Sequence, residues 1–293
     1  MLEFLKAILF GVVEGITEWL PISSTGHMIL LDEFIHLTVS ADPTVNAEFY
    51  NLFEVVIQLG AILAVIVMYF GKLNPFARFK SAQEKKLTWN LWGKVILALI
   101  PSVILGLLLD DWLDAHLYTP TVVALALVGY GVVFLFLEKL RPKGGVALES
   151  SEQIPLKTAF FIGLFQCLAM IPGTSRSGST MIGAMLLGLT RPAAAEFSFF
   201  LAIPTMAGAS ALRGLKFVKF LAETGVQIPT SAWFILLVAT VAAFVVSLAA
   251  IKFLTDFVKR HSFAPFGVYR IVLGVLLLIA FAAVKGEAVV PLT

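Results

Sequence analysis

Five stretches of this chain, Leu52 to Phe70, Val95 to Leu109, Thr121 to Leu137, Ser231 to Phe253 and Phe266 to Val284, are almost unbroken apolar runs. They approach or reach the roughly 20 residues that cross a bilayer as a helix. A segment in lipid finds no water for its N–H and C=O groups, so it must close its hydrogen bonds on itself. The fold class that follows is an all-α integral membrane protein. Composition agrees, with 59% hydrophobic and 14% charged residues, against roughly 25% charged in soluble domains. A net charge of +2, its basic residues scattered among connections, argues against a nucleic-acid partner. The single cysteine, Cys167, lies in an apolar stretch, which leaves neither an intrachain disulfide nor a thiolate metal site. The N-terminal apolar run carries Glu14 and Glu18 and shows no small-residue cleavage site before Pro21; it reads as retained rather than as a signal peptide.

Two polar stretches interrupt this pattern. They are "EWLPISSTGHMIL" from Glu18 to Leu30 and "AMIPGTSRSGSTMIGAML" from Ala169 to Leu186. Each has an apolar helix stopped by proline, a Ser/Thr/Gly cluster and a second apolar helix. Proline lacks the N–H and disfavours helix before it, while glycine permits tight turning, so both suit helix-break-helix hairpins. Such backbone is tolerated at membrane depth only where protein or a water-filled cavity covers it. Three further apolar segments follow each hairpin, the first marked in each half by "AEF", at Ala47 to Phe49 and Ala195 to Phe197.

Basic residues orient these segments. The connection Gly71 to Lys94 carries Lys72, Arg78, Lys80, Lys85, Lys86 and Lys94, and the one after Leu137 carries Lys139, Arg141, Lys143 and Lys157. Both belong in the cytoplasm. Asp110 to Thr119 and Leu31 to Tyr50 hold acids but no lysine or arginine, and belong outside. Lys252, Lys259 and Arg260 place the last connection inside, while Arg213, Lys216 and Lys219, read as an outside loop, run against the scheme. Consistency requires the first hairpin to enter and leave from outside and the second from the cytoplasm. The expected architecture is a single membrane domain over 1–293, with six transmembrane helices and two re-entrant helix hairpins. Its halves, about 1–138 and 156–285, form an inverted-topology repeat whose breaks meet near the midplane.

In the first break, Glu14 and Glu18 are four apart and share a helix face. Carboxylates deep in an apolar run are costly and point to function. They suit oxygen ligation of a hard divalent cation or general-base work. Ser23, Ser24 and Thr25 follow Pro21, where a helix can start, and capping explains any one of them. Three in succession, followed by Gly26 and His27, exceed that need. A Ser24/His27 pair could supply a nucleophile and its base.

The second break places Arg176 among Thr174, Ser175, Ser177, Ser179 and Thr180, with Gly173 and Gly178 allowing close backbone approach. An arginine in the membrane needs an anionic partner. A helix start presents free N–H groups, and the guanidinium fork matches phosphate oxygens in bidentate fashion. Small-residue helix packing accounts for the glycines but not for Arg176. The pattern therefore reads as a phosphate clamp facing the carboxylates.

With these motifs in view, the sequence resembles the undecaprenyl-diphosphate phosphatases of bacteria, also called bacitracin-resistance proteins. "EGITE", "PISSTGH" and "PGTSRSGST" are similar to the family's motifs, as are "FEVVIQLGAILAV" and "EFSFFLAIP", and the likeness runs from Leu5 to about Phe281. The tail "VKGEAVVPLT" falls outside it. The resemblance implies hydrolysis of undecaprenyl diphosphate to the monophosphate, recycling the lipid carrier for peptidoglycan and other cell-wall polymers in the bacterial plasma membrane. It implies dependence on Mg or Ca, and functional positions at Glu14, Glu18, Ser24, His27, Ser175, Arg176 and Thr180. In the expected site Gly173, Ser175, Arg176, Ser177 and Thr180 hold the diphosphate, Glu14 and Glu18 hold the cation, and Ser24 or His27 attacks or activates water. Glu18, Ser24, His27 and Arg176 make the catalytic set. Partners are the polyprenyl lipid substrate and membrane lipid, with a homodimer left open. The rival reading is a transporter or flippase for an anionic or lipid-phosphate solute, which would need Arg176 but no nucleophile.

Overall fold

The structure, a computed structural model, describes residues 1–117, 119–140 and 147–287. Arg141 and Lys143, counted above as cytoplasmic, lie outside the described residues. So does the end of the tail. In chain order the helices are α1 (Leu2–Thr17), α2 (Ser24–Phe34), α3 (Pro43–Met68), α4 (Phe70–Leu73), α5 (Ala82–Leu117), α6 (Pro120–Leu140), α7 (Leu156–Cys167), α8 (Arg176–Leu186), α9 (Arg191–Thr224), α10 (Thr230–Arg260) and α11 (Ala264–Glu287). Six of them, α3, α5, α6, α9, α10 and α11, are long and apolar enough to cross a membrane. Leu107, Leu108, Leu215 and Leu276 stand more than half exposed on these helices, a wall of apolar side chains suited to lipid and not to water.

Local chemistry explains where the helices start. Asp42 caps α3 by accepting from the Thr44 N–H at 2.8 Å, with Pro43 in the first turn. Thr190 caps α9 by accepting from the Ala193 N–H, with Pro192 in its first turn. Proline costs nothing there because its missing N–H would have had no partner. The two "AEF" tripeptides therefore fall in the same register, as the fifth to seventh residues of α3 and of α9. Phe49 and Phe197 of these tripeptides are both fully buried.

Several connections differ from expectation: Lys72 lies on α4, Lys85, Lys86 and Lys94 on α5, and Lys252, Lys259 and Arg260 on α10. Asp110 to Leu117 is not a loop but the end of α5, which spans 36 residues. At about 1.5 Å per residue it exceeds the roughly 30 Å hydrocarbon core, so its ends project into water. Nothing in the residues after Leu109 breaks a helix until Pro120, and acidic side chains are compatible with one. Likewise Arg213, Lys216 and Lys219 are not in a loop but on the last turns of α9, which ends at Gly225 with φ 68°. That left-handed cap is a conformation glycine adopts without steric penalty.

Helix pairs approach closely where glycine removes the side chain. A Cβ at Gly11 or Gly15 of α1 would collide with the Ala239 or Ala243 carbonyl of α10, and one at Gly163 of α7 with the Ala98 carbonyl of α5. Gly131 and Gly267 do the same between α6 and α11. Small residues are what let helices associate where hydrophobic burial gives no advantage over lipid. Several pairings have a counterpart in the other half, α1 on α10 with α7 on α5, α3 on α10 with α9 on α5 and α1 on α2 with α7 on α8, while α3 packs on α9 and α6 on α11; α8 also packs on α9, without a comparable contact of α2 on α3 among the described residues.

Candidate active site at the two helix breaks

The only described non-glycine residues with positive φ are Ser23 and Ser175, both at 74°. One sits in each break, immediately before α2 and α8 respectively. Each caps its helix through the side chain: Ser23 Oγ accepts from the Gly26 N–H at 3.2 Å, and Ser175 Oγ from the Gly178 N–H at 3.1 Å. Two serines held in a sparsely populated backbone region imply surroundings that over-determine them. Ser23, not Ser24, is thus the counterpart of Ser175. Ser24 is released from capping and Arg176 occupies the equivalent first helical position across the site.

Glu18 joins the breaks. One carboxylate oxygen accepts from the Ser24 hydroxyl at 2.6 Å, and the other accepts from the Arg176 guanidinium at 2.7 Å. Glu18 and Ser24 are 4% and 8% exposed, so water competes weakly for these charge-assisted bonds. Arg176 also donates to the Ser198 carbonyl at 2.8 Å and lies 5.8 Å from the centre of the Trp19 ring. Ser177 donates to the Glu18 carbonyl at 3.0 Å. A hydroxyl, a carboxylate and a guanidinium are thus joined by two hydrogen bonds, chemistry that suits a nucleophile with its base beside a group that binds phosphate.

The remaining sequence candidates fall in different places. His27 does not reach Ser24. Its Nδ1 lies 2.7 Å from the Ser23 carbonyl, and its Nε2 lies 2.6 Å from the Tyr269 hydroxyl, against whose ring the imidazole stacks at 4°. A carbonyl only accepts, so Nδ1 carries the proton and Tyr269 donates to Nε2. Thr180 is fully buried, its hydroxyl 2.6 Å from that of Ser198, which in turn supports Arg176. Ser177 is likewise buried and binds across the breaks. Gly173 has φ 93° and a Cβ there would collide with the Val123 backbone, so it serves close approach and leaves its carbonyl to Arg270. Ser175 Oγ, the cap, lies 3.1 Å from Ser177 Oγ. Glu14, one turn before Glu18, is buried with Oε1 lacking a hydrogen-bond partner, and it lines a cavity of about 530 Å³ next to the site. No cluster of three or more His, Cys, Asp or Glu side chains placed to hold a metal occurs among the described residues.

Sequence reasoning missed Arg270. Fully buried on α11, it donates to the Pro21 carbonyl of the first break at 3.1 Å and to the Gly173 and Thr174 carbonyls of the second at 2.8 and 3.0 Å. The Tyr130 and Phe134 rings flank it at 5.5 and 5.9 Å. The signal was there, a lone cation inside the apolar run Phe266 to Val284. Ser198 and Tyr269 carried none, since a serine or tyrosine in such a helix is ordinary.

Comparison with known proteins gives one answer throughout. Residues 7–276 match the family described as bacitracin resistance protein BacA. An undecaprenyl-diphosphatase of Streptococcus mutans serotype c is 55% identical over 276 residues, covering 94% of this chain and 95% of the relative. Undecaprenyl-diphosphatases of Streptococcus pyogenes serotypes M3 and M1 are 53% identical over 279 residues, covering 95% of this chain and 96% of theirs.

Proposed function

The chain belongs to the bacitracin resistance protein BacA family, and from that premise we propose how its two breaks carry the family's chemistry. It is an undecaprenyl-diphosphatase embedded in the membrane, converting undecaprenyl diphosphate to undecaprenyl phosphate and inorganic phosphate. That reaction returns the lipid carrier to cell-wall synthesis. The near full-length identity to diphosphatases favours hydrolysis over transport. The single observation that carries the mechanism is Glu18 bonded to Ser24 and Arg176 at once. The direct test is release of inorganic phosphate from a polyprenyl diphosphate by the purified protein.

Ser24 Oγ attacks the terminal phosphorus as Glu18 takes its proton. The bond from that phosphorus to the bridging oxygen breaks, undecaprenyl phosphate leaves and a phosphoserine remains. Glu18 gives that proton to the departing phosphate, then takes one from the water that attacks the phosphoserine and returns it to Ser24 as the bond from phosphorus to Oγ breaks and inorganic phosphate leaves. Arg176 turns part of its donor fork from Glu18 to the phosphates as charge moves during transfer. Ser175 and the first N–H groups of α8 face the same anion, while Ser177, Thr180 and Gly173 hold the breaks in register. His27 orients the first turn of α2 through Ser23, and Tyr269 fixes its tautomer.

The residues fit a divalent cation at Glu14. Its Oε1 is a buried carboxylate oxygen without a hydrogen-bond partner, and magnesium characteristically takes one or two carboxylates with substrate phosphates and water completing its shell. A bound magnesium or calcium ion would neutralise charge on the diphosphate. Glu18, expected from sequence as its second ligand, has both oxygens hydrogen-bonded.

The architecture behind the site reads as two inverted repeats, about 1–138 and 156–285, each a re-entrant hairpin and three crossings. Support comes from those helix pairings that recur in both halves, the paired serine caps and the common register of the tripeptides. The prenyl chain would leave laterally between helices into the bilayer of the bacterial plasma membrane. Sizing the detergent-purified protein tests whether two copies associate.

A further inference from the structure

The cavity beside the breaks is lined by four carboxylates, Glu14, Asp32, Glu33 and Glu54, against one guanidinium, Arg213, with Gln58 adding a neutral oxygen. A concave, protein-walled site of that balance focuses negative potential. It repels phosphate and concentrates cations. Its inner end holds the partnerless Glu14 Oε1, on a residue only 1% exposed. A buried carboxylate oxygen with no donor is expensive unless something supplies positive charge. Each oxygen of Glu18 already accepts one hydrogen bond, from Ser24 or from Arg176, so a cation held there would compete with the guanidinium that joins the breaks. Glu54, on α3, faces the same cavity as Glu14 and adds oxygens from a different helix.

We propose that the divalent cation is held between Glu14 of α1 and Glu54 of α3, with Gln58 beside them, and that Asp32 and Glu33 at the end of α2 draw it in from the outer face. The assignment rests on the cation dependence proposed above. Glu18 is left to act as base and as the partner of Arg176. Two carboxylates from separate helices, with water and phosphate completing the shell, suit a cation that comes and goes with substrate better than a closed protein cage.

Manganese(II) binding to the full-length protein in detergent, followed by electron paramagnetic resonance in phosphate-free buffer without substrate, tests this. Glu54→Gln and Glu14→Gln should each weaken binding by at least about tenfold, whereas Glu33→Gln should weaken it far less. Loss in Glu18→Gln with parental binding in Glu54→Gln would overturn the assignment while leaving a cation site at the breaks. Equal weakening by Glu33→Gln and Glu54→Gln would mark a diffuse acidic field and also overturn it. If the parent protein binds no manganese, the cation dependence itself fails and this site with it. Should Glu54→Gln not fold, Glu54→Asp keeps the charge and shortens its reach; an unchanged affinity there would count against Glu54 as a ligand.

Discussion

Glu18 holds Ser24 with one oxygen and Arg176 with the other, and the two contacts separate the consequences of single substitutions. Ser24→Ala removes the nucleophile and leaves the ion pair. Turnover should fall by several orders of magnitude with KM nearly unchanged, as when only a transition-state contribution is lost. The parent enzyme, quenched in acid after reaction with labelled diphosphate, should carry label on Ser24, since phosphoserine survives acid; an acid-labile adduct on His27 would move the attack to histidine. Glu18→Gln differs because it strands a buried guanidinium. Besides losing turnover, it should destabilise the protein by about 3–5 kcal/mol in thermal unfolding. An undisturbed midpoint would argue that Arg176 finds another anion. At this scale the sequence exposed the polar residues themselves, because charge and hydroxyls are conspicuous among leucines. It named Ser24 but held no reason in local chemistry for preferring it to Ser23; the positive φ of Ser23 assigns that serine to the cap and leaves Ser24 to Glu18.

At the scale of the element, each break is a short run of residues between helices of 16 and 11 residues in one case and 12 and 11 in the other. The starts of α2 and α8 depend on a capping side chain held at an unfavourable φ. Ser23→Ala loses the cap and keeps the strain; Ser23→Gly loses the cap but relaxes the backbone. The glycine variant should therefore be the more stable by about 1 kcal/mol, read from unfolding midpoints in detergent. The reverse order would mean that the positive φ is not strained. Helix existence was legible from hydropathy and proline. Helix ends were not, since α5 and α9 run on through charged residues that a lipid-based reading takes for loops. Those residues sit on helix ends outside the hydrocarbon, where apolar character no longer decides secondary structure.

For the whole molecule, the proposed inverted arrangement requires the two hairpins to open to opposite sides. In a Cys167-replaced background, single cysteines at Ala41 and Gln83, both exposed, should react with an impermeant maleimide from outside and from the cytoplasm respectively. Reaction of both from one side would remove the inverted repeat. The all-helical plan with six long apolar helices was visible because hydropathy marks the spans, and the labelling tests the sides that basic residues suggest. What ties the halves was not visible, because contacts such as Ser177 on Glu18 link residues 159 apart, and no local pattern announces them.

Arg270 has a bearing on how the protein comes into being. It reaches Pro21 from 249 positions further along the chain and Gly173 from 97. During synthesis both breaks therefore leave the ribosome, and enter the bilayer, well before the cation that stitches their carbonyls together exists. Until α11 arrives, those carbonyls must find other donors, such as water in a hydrated interior or the insertion machinery. The last helix is thus also a timer. On the proposed mechanism, groups encoded in the first two thirds of the message become a site only once the final span is threaded, and a chain ended before α11 should insert its helices yet release no phosphate.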